Sequence, residues 1–173
     1  MVQGANANER LLVALIILLA GALATSCSTG KEPARLPVDD AALSDEALVS
    51  AWPAYGGTHF ERRYSPLTDI DAGNVDKLKV HWYLDLPRDV GLVSTPLVVD
   101  GVMYFTGTMN VVRAVDAVTG ELLWKFDPEV GKVLASKRQV GFVHSRGITF
   151  YGDKVFTATF DGRLIAIDAK SGK

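Results

Sequence analysis

The sequence predicts an all-β chain built from repeated four-stranded antiparallel sheets, the architecture of a β-propeller. A long internal repeat, hairpin turns at matching places within it, and short strands of alternating character all point there. The repeat carries most weight. Ala114-Val115-Asp116-Ala117-Val118-Thr119-Gly120 returns as Ala166-Ile167-Asp168-Ala169-Lys170-Ser171-Gly172. The offset is 52 residues and holds without a gap from Met103/Val155 to Gly120/Gly172. Four short strands joined by tight turns make one propeller blade. A meander within a sandwich or barrel is the alternative for the same strands.

Residues 1–27 read as a targeting segment. Arg10 precedes an apolar run from Leu11 through Ala24, about 14 residues. A bilayer-spanning helix needs about 20, so the run suits the apolar region of a signal peptide. Ala24-Thr25-Ser26-Cys27 then resembles a bacterial lipobox, with small residues ahead of a cysteine that would carry the lipid. Simple cleavage after Ala24 is the alternative. Cys27 is the single cysteine, so an internal disulfide is excluded. The non-acidic Ser28 after it goes with outer-membrane retention in lipoproteins of this kind.

Residues 28–50 read as a tether and a short helix. The helix spans 39–50, capped by an Asp or Ser, with Leu43, Ala47 and Leu48 on one side. Residues 51–78 form a loop-rich lead-in. Tyr55-Gly56-Gly57-Thr58 makes a turn, Glu61-Arg62-Arg63 offers charge for surface pairing, and 74–78 suggests a helical turn. Val80 to Leu84, with the aromatic pair Trp82-Tyr83, reads as a strand at a blade edge.

One full blade follows at about 92–127. Its strands are Pro96–Val99, Val102–Thr106, Val111–Asp116 and Glu121–Phe126, with a hairpin at Asp100-Gly101. Asp127-Pro128 ends it. Residues 130–145 are long for a connection, and long loops tend to be functional or disordered. An incomplete blade covers about 146–173, with strands Arg146–Phe150, Lys154–Phe160 and Arg163–Asp168 and a fourth beginning near Lys173. The small Ala114 and Ala166 let a bulky neighbour approach, and Trp124 is a ring able to dock between blades. Ala114, Asp116, Gly120, Trp124, Ala166, Asp168 and Gly172 are thus structural repeat positions. Asp100, Asp116, Asp161 and Asp168 fall at turns, where a carboxylate caps the backbone. No catalytic role is given to any of them.

The chain has 173 residues, enough for one domain, and a net charge of −2. Nothing in that balance suggests nucleic acid as a partner, and Lys137-Arg138 is too short for a patch. His59, His81 and His144 lack metal-ligand spacing, and there is no P-loop and no Gly-x-Gly-x-x-Gly. A stable repeat stack needs roughly three or more repeats. The chain is therefore expected to be the front of a longer protein or a truncated product, inactive alone.

Ala-x-Asp-Ala-x-Thr-Gly-x-x-x-Trp at 114–124 resembles the tryptophan-docking motif of quinoprotein propellers. Trp52, Tyr55-Gly56-Gly57, Arg63-Tyr64-Ser65-Pro66-Leu67, Asn74-Val75, Leu78 and Trp82 resemble the opening segment of the same family. Together they make residues 52–173 similar to the N-terminal part of PQQ-dependent alcohol dehydrogenases. The resemblance implies an eight-bladed propeller, a short helical lead-in, and Arg63 as a structural residue. It also implies PQQ and Ca²⁺ as cofactors, an alcohol as substrate, and a cytochrome c or membrane quinone as electron acceptor, in the periplasm.

The resemblance places Arg146 where the family has a quinone-contacting arginine. Its alternative is a salt bridge with Asp153 or Asp161. The 130–145 loop corresponds to one lying over the quinone. Two family features are absent. Val93 and Ser94 precede Thr95-Pro96 where a cofactor-contacting Glu is usual, and Val140-Gly141 stands where adjacent cysteines form a disulfide. The metal ligands and catalytic Asp of the family correspond to positions beyond 173. Two functions follow: part of a periplasmic PQQ-dependent alcohol dehydrogenase, or a non-enzymatic propeller lipoprotein serving as an envelope scaffold.

Overall fold

Each copy of the repeat builds its own antiparallel sheet. The computed structural model describes residues 38–45, 51–135 and 144–173. The targeting segment with Cys27, the tether, Ala47 and Leu48, Lys137-Arg138 and Val140-Gly141 lie outside the described residues. The described residues all belong to one unit, Arg35–Lys173.

The first sheet has strand order β1-β2-β3-β4, formed by β1 (Leu97–Val99), β2 (Val102–Thr106), β3 (Val112–Asp116) and β4 (Leu122–Phe126). Asp100 and Gly101 take positive φ in the β1–β2 hairpin, as a two-residue turn of this hand requires. β3 is buried along most of its length, as befits the strand at the middle of a covered sheet. A bulge between Ala114 and Val115 sets Ala114 opposite Trp124 and Val115 opposite Leu122.

The second sheet has order β5-β6-β7, from β5 (Thr149–Tyr151), β6 (Lys154–Ala158) and β7 (Leu164–Asp168). Its ends differ from the sequence expectation for local reasons. Residues 146–148 stay out of β5, and the Arg146 carbonyl instead accepts the Thr95 N–H at 3.2 Å. β6 stops at Ala158 because Gly162 N–H turns back to the Thr159 carbonyl, while Phe160 N–H is captured by Asn110 Oδ1 at 3.2 Å.

The core lies between the sheets. Leu97, Val99, Tyr104, Val112 and Ala114 of the first meet Phe150, Val155, Ile167 and Ala169 of the second. The Tyr104 ring packs 5.3 Å from Phe150 and 5.9 Å from Trp124, both tilted, a geometry aromatic quadrupoles favour. Asn110 is the buried polar tie: its Nδ2 donates to the Ala158 carbonyl at 3.0 Å.

The expected strand Val80–Leu84 does not form. None of these residues makes a ladder bond among the described residues, and Trp82 holds the segment by its ring instead. Of the expected helix 39–50, the described part is α1 (Asp40–Leu43), capped by Asp39 Oδ1 accepting the Ala42 N–H at 2.9 Å. Residues 75–77 form the expected helical turn. The connection after β4 begins with a helix rather than a loop, α2 (Val130–Ala135).

Candidate functional site

The repeat turns are built atom for atom alike. Gly120 N–H donates to Asp116 O at 2.9 Å, and Gly172 N–H to Asp168 O at 2.8 Å. Asp116 N–H reaches Glu121 O, and Asp168 N–H reaches Lys173 O. Asp116 Oδ1 accepts the amides of Val118 and Thr119, and Asp168 Oδ1 accepts the amide and hydroxyl of Ser171. Both carboxyls are held below the usual range, Asp116 chiefly by the Thr119 amide and Asp168 chiefly by the Ser171 hydroxyl. Such bonds favour the ionised form.

Each turn receives a tryptophan from the segment before it. Trp124 Nε1 donates to Ala169 O at 2.9 Å, and a Cβ on Gly172 would lie 2.7 Å from its ring. Trp82 Nε1 donates to Ala117 O at 3.1 Å, and a Cβ on Gly120 would lie 2.6 Å from its ring. Both glycines also take positive φ, so side chain and backbone both demand glycine there. The ring therefore lands on Gly172, not on Ala166. Ala114 lies fully buried opposite Trp124, whereas Ala166 is exposed. The docking role of Trp82 was missed by reading it as part of a strand. Its partner signal was Gly120, since the Gly of each repeat marks a landing place.

Arg146 stands at the other end of the sheets. Its segment is fixed from both sides: Thr106 Oγ1 donates to Ser145 O, Thr95 N–H to Arg146 O, and His144 bridges to Thr108. The Arg146 side chain is exposed and makes no ion pair among the described residues. The carboxylates that could have held it are engaged elsewhere. Asp153 pairs with Lys154 at 3.3 Å, and Asp161 with Arg163 at 2.6 Å. Among the described residues neither Asp153 nor Asp161 pairs with Arg146. Asp161 also accepts the Thr159 hydroxyl, and the Arg163 bond, then the Thr159 bond, hold its pKa at about 2.

Val93 is half exposed, and Ser94 next to it has its Oγ accept the Thr106 N–H at 3.2 Å. On the face of the first sheet away from the second lies an apolar recess of about 250 Å³, lined chiefly by Trp82, Leu84, Leu86, Leu92, Met103 and Phe105. In the lead-in, Arg63 lies 4.6 Å over the Tyr55 ring and 3.6 Å from Glu61, all at the surface. No three His, Cys, Asp or Glu side chains gather as a metal site among the described residues.

A tryptophan seated on the glycine turn of the next sheet, twice over, is the signature of a tryptophan-docked propeller. Comparison with known proteins agrees. The chain is 44% identical over 162 residues to "Alcohol dehydrogenase (quinone), dehydrogenase subunit" of Komagataeibacter europaeus, covering 90% of this chain and 22% of that protein. It is 48% identical over 137 residues to "Quinohemoprotein alcohol dehydrogenase ADH IIB" of Pseudomonas putida, covering 79% and 20%. The crystal structure of quinohemoprotein alcohol dehydrogenase from Comamonas testosteroni superposes with a TM-score of 0.72 at 38% identity, covering 79% and 20%. The chain thus spans about a fifth of the length of these relatives. Residues 52–173 match the glucose/ethanol/alcohol dehydrogenase β-propeller domain, and the chain belongs to this PQQ family.

Proposed function

We propose that this chain is the N-terminal portion of a periplasmic PQQ-dependent alcohol dehydrogenase, delivered by residues 1–27 and tethered to the outer membrane through a lipid on Cys27. The observation that carries the reading is Arg146, an exposed cation just before β5 that makes no ion pair among the described residues. A guanidinium is suited to the carboxylates and quinone oxygens of PQQ, because its planar fork makes paired, charge-assisted bonds. Bound there, PQQ would supply an acceptor for the hydride equivalent of the alcohol, and Ca²⁺ would supply a Lewis acid. This chain's own part is to hold one edge of the group through Arg146. The Thr106–Ser145 and Thr95–Arg146 bonds keep that residue's backbone in place. The Ca²⁺ ligands, the carboxylate base and the surface that meets a cytochrome c or membrane quinone belong to the remainder of the longer protein.

The test is alcohol-dependent reduction of an artificial electron acceptor by the native product loaded with PQQ and Ca²⁺. Turnover is expected, and Arg146→Ala is expected to weaken PQQ retention by about tenfold, the loss typical of one charge-assisted contact. No turnover with any primary alcohol, together with no PQQ retained, would overturn it.

One observation favours a second reading. Val93 offers an apolar side chain where a carboxylate would contact the cofactor. On that reading the propeller has given up PQQ and serves as a lipid-anchored scaffold in the envelope.

A further inference from the structure

We propose that the buried ion pair Asp89–Arg113 is a clamp that joins the segment before β1 to the segment before β5 and so positions Arg146. Only the purpose given to Arg146 rests on the function proposed above; the clamp itself rests on geometry.

Arg113 is the second residue of β3, its side chain 7% exposed, and the Asp89 side chain is 4% exposed. Arg113 Nη2 meets Asp89 Oδ2 at 2.5 Å. The second copy of the repeat holds different residues at this place. The counterpart of Arg113 at the 52-residue offset is Ile165, and the counterpart of Gly107 is Thr159. The first sheet carries a charge where the second carries an aliphatic side chain, and a glycine where the second carries a threonine. A Cβ on Gly107 would collide with both Asp89 and Arg113. Burying an ion pair is commonly no better for stability than apolar residues of similar volume. Stability alone therefore gives no reason for the exchange.

The pair's connections supply one. Asp89 belongs to neither sheet. Its second oxygen accepts the Thr108 N–H at 2.6 Å, and Thr108 Oγ1 accepts the Val90 N–H at 2.8 Å. Residues 89 and 90 are thereby pinned to the β2–β3 hairpin. Thr108 also bridges to His144. The His144 ring lies against Gly91, where a Cβ would stand 3.0 Å from it. Two residues on, Thr95 N–H meets Arg146 O. The segment carrying Val93 and the segment carrying Arg146 are therefore held together, and both meet Thr108, whose N–H Asp89 accepts.

Hydrogen exchange of the native product tests this. Asp89→Asn keeps the shape and removes the charge, and the double variant Asp89→Leu, Arg113→Ile installs the apolar character of the second sheet. Both are expected to speed exchange about tenfold in peptides covering 89–95 and 144–148, and the double variant is expected to leave β2 and β3 protected. Arg113→Lys, which keeps the pair, is expected to restore protection. PQQ affinity should fall about tenfold in the first two variants, and in the double variant, which leaves no buried charge unpaired, without a matching fall in melting temperature. Unchanged protection of both segments in a folded variant overturns the clamp. So does faster exchange spread evenly over β1–β4 in the double variant, which marks a merely structural pair. If the unaltered product binds no PQQ, the proposed function fails, while exchange still decides the clamp.

Discussion

Asp161 and Asn110 show how much single side chains contribute at the junction of the sheets. Asp161 is lowered from 3.8 to about 2 by its bonds to Arg163 and Thr159. Its folded pKa lies below the unfolded one, so its stabilisation is complete above about pH 4 and is lost as pH falls through about 2. Asp161→Asn is therefore expected to melt below the native product near neutral pH, with the difference shrinking towards pH 2. Melts across that range read it, and a constant difference would contradict the account. Arg163 also donates to the Pro128 carbonyl at 2.6 Å, so this pair ties the exit of β4 to the β6–β7 turn. Asn110 takes positive φ and serves Ala158 O and Phe160 N–H with one amide. Asn110→Ala leaves both groups without it and is expected to cost about 2 kcal/mol, measured by denaturant unfolding. A cost near zero would mean that water replaces it.

At the scale of elements, the repeat turn and its docked ring form one device. Gly172 and Gly162 both take positive φ, but only Gly172 faces a ring; a Cβ on Gly162 meets nothing within 4 Å. Gly162→Ala is expected to cost about 1 kcal/mol from the backbone alone. Gly172→Ala should cost roughly 2 to 3 kcal/mol, because Trp124 must also move. Equal losses in unfolding measurements would count against docking. Much of this device was legible in the sequence. Thr119-Gly120 and Ser171-Gly172 stand in equivalent places of the 52-residue register, and Asp100-Gly101 aligns with Gly152-Asp153, so the turns fall alike in both copies. Trp82 was hidden because aromatic residues at 82–83 look like a strand when read locally. Its true partner, Gly120, is distant in sequence. The helix Val130–Ala135 was hidden for a similar reason: its first residue is buried by tertiary contact, a signal that a short segment does not carry alone.

For the whole molecule, the two sheets and their docked tryptophans place the chain in the PQQ propeller family, while the chemistry proposed for it turns on a few side chains. Arg146 was found by resemblance, and its freedom from Asp153 and Asp161 became visible only when those carboxylates were seen with Lys154 and Arg163. Asp89–Arg113 was invisible to the sequence reading because ion pairs distant along the chain leave no periodic trace. Fold alone does not fix function, and Val93 keeps the cofactor question sharp. The most direct measurement is the PQQ retained per chain by the native product after equilibrium dialysis with Ca²⁺, read from the quinone absorbance. The account predicts about one PQQ per chain, reduced by Arg146→Ala. A native product that retains none would contradict it.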